Sequence, residues 1–177
     1  MRLDLLCHHR WSVGVLAELH RGGGGAKFVT LERRLRVPRD SLVRTLAALR
    51  RLRLVRRNPG YGHPMRPEYL LAPAGERLAP ACARLDAFLK RSGVAEQALR
   101  KWSLPVTLAL ARGAGRFGEV RDALPGITAR ALTLAFLALE SADLVERRVT
   151  EGRPPGTAYR LTRRGRRLAP AVSAVAT

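Results

Sequence analysis

The sequence predicts a mainly helical α+β chain built from two copies of one small unit, each copy closing with a β-hairpin. Three observations lead there. The stretch Tyr69–Ala81 matches Tyr159–Ala171 at an offset of 90, with eight of thirteen positions identical. Self-similarity at a fixed period is the signature of a repeated supersecondary unit. Apolar residues recur at i, i+4, i+7 in both copies, as Leu42, Leu46, Leu49 and as Leu132, Phe136, Leu139, which marks the buried stripe of a helix. Each stripe is followed by two short β-prone segments around a turn rich in Gly and Pro, the pattern of a hairpin.

The elements can be justified in order. Leu54–Arg57 matches Leu144–Arg147 at the same offset of 90, Arg10-Trp11-Ser12 matches Lys101-Trp102-Ser103 at 91, and Lys27-Phe28 matches Arg116-Phe117 at 89. The offset changes fall at the glycine-rich turn and just before the next helix, where insertions cost least. A boundary near Arg91-Ser92-Gly93 divides the chain into residues 1–92 and 93–177. In each copy a first helix begins near Trp11 or Trp102 and ends at glycine, Gly22–Gly25 or Gly113–Gly115. A short second helix spans Thr30–Leu35 or Phe117–Leu124. A turn, Arg36–Pro38 or Pro125–Thr128, leads into the third helix with its leucine stripe. Strands follow at Leu54–Arg57 and Tyr69–Leu71, and at Leu144–Val149 and Ala158–Leu161. A last helix is expected after Gly75 and after Gly165. Helix, helix, turn, helix and hairpin make a winged helix-turn-helix, here in tandem. The last helices and the segment Val94–Arg100 are expected to pack the copies into a pseudo-dimer within the chain, or to join two chains as a homodimer.

Composition narrows the partner. The 177 residues carry 33 Lys+Arg against 14 Asp+Glu, a net charge of +19. Self-repulsion at that charge makes a polyanion the first partner to consider. At 46% hydrophobic residues the chain can bury a core and is no disordered basic tail. The charge is shared, with 18 basic and 7 acidic groups in residues 1–90 (net +11), and 15 and 7 in 91–177 (net +8). Only Lys27, Lys90 and Lys101 are lysines. Arginine suits bidentate contact with phosphate and guanine, although GC-rich coding explains the bias equally well. Apolar runs are too short for a membrane span and the N-terminal stretch too short for a signal peptide, so a cytoplasmic protein is expected. Two cysteines make no disulfide framework.

Each copy resembles the HxlR-type winged-helix regulators, relatives of the MarR group. The second copy carries Lys101-Trp102-Ser103, Arg116-Phe117-Gly118-Glu119-Val120, Leu124–Thr128, Leu132-Thr133, Leu139-Glu140, Asp143–Arg147, Pro154-Pro155, Tyr159–Thr162 and Gly165, in the family's order. The first copy keeps Arg10-Trp11, Lys27-Phe28, Leu42, Leu46, Leu49, Leu54–Arg57, Tyr69–Leu71 and Gly75. The resemblance implies sequence-specific binding of double-stranded DNA and control of transcription; no Ser/His/Asp set or paired-carboxylate signature stands out, so no catalytic activity is expected. Family members are usually single-domain homodimers, so two fused copies resemble a covalent pseudo-dimer.

In a winged helix the third helix enters the major groove and the wing meets phosphate or minor groove. In the first copy the candidate readers are Arg39, Ser41, Arg44 and Thr45, with Arg56, Arg57, His63 and Arg66 on the wing. In the second copy Thr128, Arg130 and Thr133 remain as readers, with Arg147, Arg148, Arg153 and Arg160 on the wing. Arg163, Arg164, Arg166 and Arg167 form a cluster suited to clamping phosphate; any of these cations could equally be a solvated face. Positions 134, 135 and 137, usually polar in the family, are Leu, Ala and Leu. A helix apolar all round is normally buried, so this one either reads thymine methyls and shape or has become a protein interface.

The remaining chemistry is thin. Cys7-His8-His9 lacks the further ligands a structural zinc site needs, so no metal or cofactor is expected. Some family members sense oxidants through an N-terminal cysteine, but Cys7 stands closer to the Trp than that cysteine does. Cys82 lies on an apolar helix face with Leu78 and Leu85 and is expected in the core. Gly22–Gly25 lacks the Gly-Lys-Ser/Thr of a phosphate loop. Two rival functions stand beside specific regulation: a non-specific nucleoid-type or RNA-binding protein, and a winged-helix protein-interaction module using the apolar third helix of the second copy.

Overall fold

The computed structural model describes residues 3–59, 68–150 and 156–177. In chain order the elements are α1 (Leu3–Leu6), α2 (Ser12–Arg21), β1 (Gly25–Lys27), α3 (Phe28–Leu35), α4 (Arg39–Arg51), β2 (Val55–Arg57), β3 (Glu68–Leu71), α5 (Pro73–Ser92), α6 (Ala95–Ala98), α7 (Ser103–Ala111), α8 (Phe117–Asp122), α9 (Ala129–Ser141), β4 (Val145–Thr150), β5 (Gly156–Leu161) and α10 (Arg163–Ala176). They form two compact units, residues 9–87 and residues 1–8 with 88–177. The short α1 belongs with the second unit, where it packs on α7. Each unit is a winged helix-turn-helix, as the repeat predicted.

Both units are built on the predicted leucine stripe. Leu42, Leu46 and Leu49 on α4, and Leu132, Phe136 and Leu139 on α9, are all buried. Their core contacts differ in detail. Phe136 stacks on Tyr159 with ring centres 3.6 Å apart and meets Phe117 at 6.1 Å. The first unit has Leu46 in place of Phe136, and there Phe28 and Tyr69 meet at 6.5 Å. Cys82 is in the core, as expected, and burial pushes its thiol up to about 12.

The wings start from one backbone device used twice. Each third helix ends with a left-handed residue, Arg53 at φ 55° and Asp143 at φ 53°. The next carbonyl, of Leu54 or Leu144, accepts the N–H of Ala72 at 2.9 Å or of Thr162 at 3.1 Å. It also abuts the following helix so closely that a Cβ at Gly75 or Gly165 would sit 2.0 Å from that oxygen. This corrects one expectation: α5 and α10 begin at Pro73 and Arg163, so these glycines lie within the first turn rather than ahead of the helix. They are required for close approach, not for helix initiation.

The sheets differ. β3 pairs antiparallel with β2 and with β1, while β4 and β5 form a two-stranded ladder from Val145↔Leu161 to Thr150↔Gly156. Where the first unit has β1, the second has one isolated bridge, Arg116↔Ala158. The physical reason is length: five residues, Gly22–Ala26, precede Lys27, whereas three, Gly113–Gly115, precede Arg116. The second unit secures its turn differently. Glu119 accepts the backbone N–H groups of Gly115 at 2.8 Å and Arg116 at 2.9 Å, and these hold its carboxyl below the usual carboxylate range.

The first unit also contains a charged cluster. Arg21 bridges Glu18 at 2.5 Å and Asp86 at 2.7 Å, and Arg34 reaches Glu18 at 3.6 Å. Both acids are buried. The hydrogen bond to Asp86 raises the Arg21 pKa above its ordinary value, against the opposing effect of burial.

Candidate nucleic-acid interface

The first unit presents a basic outer face on α4. The turn Arg36-Val37-Pro38 buries Val37 and starts the helix at Arg39. With the leucine stripe turned inward, Arg39, Arg44, Arg50 and Arg51 are left exposed. Arg39 lies over the Phe28 ring with its guanidinium 5.0 Å from the ring centre, a contact that fixes its position at the helix entrance. Ser41 is half-buried. Thr45 departs from expectation. It is only 1% exposed, and its hydroxyl donates to the Ser41 carbonyl at 2.7 Å. It belongs to the core side of α4 and cannot reach a base edge from there.

The wing of the first unit adds further cations. Arg56 and Arg57 on β2 are exposed, and Arg57 lies 5.7 Å from the Tyr69 ring centre. The expected wing residues His63 and Arg66, like Arg153 in the second copy, lie outside the described residues.

The second unit is built alike and charged differently. Thr128 caps α9, its hydroxyl accepting the Ala131 N–H at 3.2 Å, and Thr133 donates to the Ala129 carbonyl at 3.0 Å. Both threonines and Arg130 are exposed. The apolar positions divide: Ala135 is buried, whereas Leu134 and Leu137 are 53% and 56% exposed. The core stripe already occupies the inward face, so within this unit Leu134 and Leu137 are left outward, as the thymine-reading and the interface accounts both require. At the repeat offset Leu134 stands where α4 has Arg44. Over its whole length α4 carries four arginines and one aspartate, α9 one arginine and one glutamate.

Several cations of the second wing already have partners. Glu146 pairs with Arg160 and lies 3.8 Å from Arg148. Arg147 is exposed, its guanidinium donating at 3.5 Å to the Thr157 hydroxyl. The cluster after the hairpin also separates. Arg163, Arg166 and Arg167 are exposed. Arg164 instead donates to the carbonyls of Ala142, at 3.1 Å, and Ser92, and Arg166 donates to the Leu161 carbonyl at 2.9 Å. Arg164 thus ties loop ends together inside the unit, and it drops out of the expected phosphate clamp. The arginine-rich string gave no means of separating these roles, since the acceptors are backbone carbonyls brought in by folding.

Comparison with known proteins bears on the family of the chain. The family model described as HxlR-like helix-turn-helix matches twice, over residues 6–97 and 99–177. An uncharacterized HTH-type transcriptional regulator of Synechocystis sp. is 40% identical over 75 residues, covering 42% of this chain and 56% of the relative. A second, from Methanothermobacter thermautotrophicus, is 37% identical over 75 residues, covering 42% and 57%. The chain thus spans less than two thirds of the length of these curated relatives. Among solved structures, the reduced form of the transcriptional regulator YodB from B. subtilis is 26% identical, with TM-score 0.43, covering 48% of this chain and 82% of that one. Among the described residues no helix is long and apolar enough to cross a membrane. With the family pattern matched along both copies, the chain belongs to the HxlR-like helix-turn-helix family, in the form of a tandem repeat.

Proposed function

We propose that this protein is a DNA-binding transcriptional regulator of the HxlR type, acting on double-stranded DNA in the cytoplasm, in which the first copy supplies most of the base reading. The observation that carries the proposal is the outer face of α4, where Arg39 and Arg44 are exposed on a helix whose other face is locked into the core. Arginine there can bond guanine or phosphate bidentately, and Ser41 stands between them. Arg56 and Arg57, and in the second copy Arg147 and Arg148, contact phosphate. Thr128, Arg130 and Thr133 supply a weaker second footprint, with Arg163 close to the backbone. On this reading the two copies act as a pseudo-dimer without reading two equivalent half-sites.

Selection of bound sequences from a random duplex pool tests this directly. One well-defined half-site, with a second that is degenerate, is the expected result. Binding that is equal on selected and random duplexes at every salt concentration would instead favour the nucleoid-type or RNA-binding rival. Replacing both Arg39 and Arg44 by Ala should weaken binding to the selected site at least tenfold, since each such contact contributes about 1–3 kcal/mol. Unchanged binding would remove α4 as the reader.

A second reading rests on Leu134 and Leu137, which are exposed side by side on α9. Exposed apolar pairs of this kind mark contact surfaces, so α9 could serve as the docking face of a winged-helix interaction module. Leu134→Glu should then change the oligomeric state or partner binding and leave DNA affinity unchanged; the opposite pattern supports DNA reading.

A further inference from the structure

The charged cluster of the first unit has a counterpart in the second, where one of its four charged residues remains. At the repeat offsets Arg21 corresponds to Arg112, Glu18 to Ala109, Arg34 to Ala123 and Asp86 to Ala176. One arginine is kept, and its two acidic partners and the second arginine have all become alanine. These four residues of the second unit line a single cleft of about 500 Å³. The volume lies within the range of small-molecule sites, about 300–1,000 Å³. Trp102, Leu108 and Leu124 give it apolar walls, and α1 adds Leu3 and Asp4.

We propose that this cleft binds a small organic anion, a monocarboxylate with an aromatic or branched apolar body, with its acid group on Arg112. The first unit supplies the geometric precedent. In the same frame the corresponding arginine holds two carboxylates, at 2.5 and 2.7 Å. Removing those acids leaves the guanidinium of Arg112 on an exposed edge of the cleft, with room where the acids stood. A planar guanidinium matches a carboxylate bidentately, and truncation to alanine makes space for an apolar body against Trp102. Among the described lining residues Arg112 is the one cation, so a second carboxylate on the ligand would find no second cation there and monocarboxylates are preferred over dicarboxylates. The site does not depend on the DNA-binding reading, and its test uses no DNA.

The full chain should be titrated with benzoate, phenylacetate and isovalerate, with succinate, and with the neutral benzamide, by calorimetry and by tryptophan fluorescence. The expected result is binding of at least one monocarboxylate at one per chain, with the neutral amide and succinate each about tenfold weaker or worse. Arg112→Gln should abolish the preference for acid over amide. The double variant Ala109→Glu with Ala176→Asp rebuilds the first unit's acids, so it should fill the cleft and abolish binding without lowering the melting temperature. Monocarboxylate affinity unchanged in Arg112→Gln, or in a folded filled variant, would overturn the proposal. So would the failure of every acid in the panel to bind at millimolar concentration. Should the filled variant not fold, Arg112→Gln decides alone.

Discussion

The helices α4 and α9 occupy the same place in two copies of one fold, and they differ almost wholly on one side. Inward, Leu42, Leu46 and Leu49 are matched by Leu132, Phe136 and Leu139, all buried. Outward, Arg39 becomes Ala129, Arg44 becomes Leu134 and Arg50 becomes Glu140. The same division recurs deeper, where the cluster around Arg21 becomes the open cleft around Arg112. The core constrains the inward positions because a packed interior tolerates little change of volume. The outer positions are constrained only by what they touch, so duplicated units diverge there first. On the proposed reading, fold and function are carried by different residues of the same helix.

The comparison can be broken most forcefully where the copies are identical. Gly75→Ala and Gly165→Ala each place a Cβ 2.0 Å from a backbone oxygen, and each should destabilise its own unit by about 3 kcal/mol or more. Urea unfolding should show similar losses for the two variants; a silent variant would mean that one hairpin is not seated as its twin is. Next in size is the charged cluster. Arg21→Ala removes the nearest partner of the buried Glu18, which keeps only the longer contact to Arg34, and one partner of the buried Asp86; it should cost about 2 kcal/mol, reduced from the fully buried case because Arg21 is partly solvated. Arg112→Ala, with alanines where the first unit has Glu18 and Asp86, should change stability by less than about 0.5 kcal/mol, and equal melting shifts would contradict the divergence of the two sites.

Smaller effects sharpen the functional contrast. Leu134→Arg copies the outer face of α4 onto α9 and should strengthen DNA binding by about 1 kcal/mol, roughly fivefold, as read by a titration at fixed salt. No gain, or a loss, would show that α9 does not face DNA. Arg53→Gly removes a side chain from a left-handed position at φ 55°, and should raise stability by up to about 1 kcal/mol. Asp143→Gly should gain less, because Asp tolerates that region better than Arg. The smallest effect at neutral pH concerns Cys82, whose counterpart is Val172. Burial, assisted by the Asp86 charge, holds the thiol protonated to about 12 against an ordinary 9.0. Unfolding therefore releases a proton once the pH passes that ordinary value, and stability falls as pH rises from there toward the folded-state value. Cys82→Val should remove this alkaline slope while leaving stability near about pH 7 little changed, which urea melts at about pH 7 and about pH 10 would measure.

Much of the fold was legible in the sequence because repetition doubled each signal. The i, i+4, i+7 stripes, the glycine-ended first helices and the two hairpins appear at the expected positions to within a few residues. The strand β1 and the bridge that replaces it were not legible. Their ladder contacts depend on how far a short glycine turn reaches, which no local pattern encodes. The candidate interface was legible in charge but not in role. Arg39 and Arg44 are exposed on α4 as the polar face implied, whereas Thr45 turned inward and Arg164 became an internal tie. A threonine seven residues into a helix satisfies its hydroxyl on the backbone four residues back, and so can lie on the buried face as readily as on the exposed one.

The sequence by itself determined the duplication, the winged-helix class, the net charge of +19 and the identity of the core stripes. Periodicity and offset are properties of the string, and apolar burial follows from them with little freedom. Only the tertiary structure decided which arginines are left to solvent alone and which also meet Glu146, Ala142, Ser92 or Leu161, because folding brings those partners to them. It also decided that three alanines and one arginine, scattered from Ala109 to Ala176, converge on one cleft. Position in the chain names a residue's chemistry, but what that chemistry can do depends on the neighbours that folding brings within a few ångströms of it.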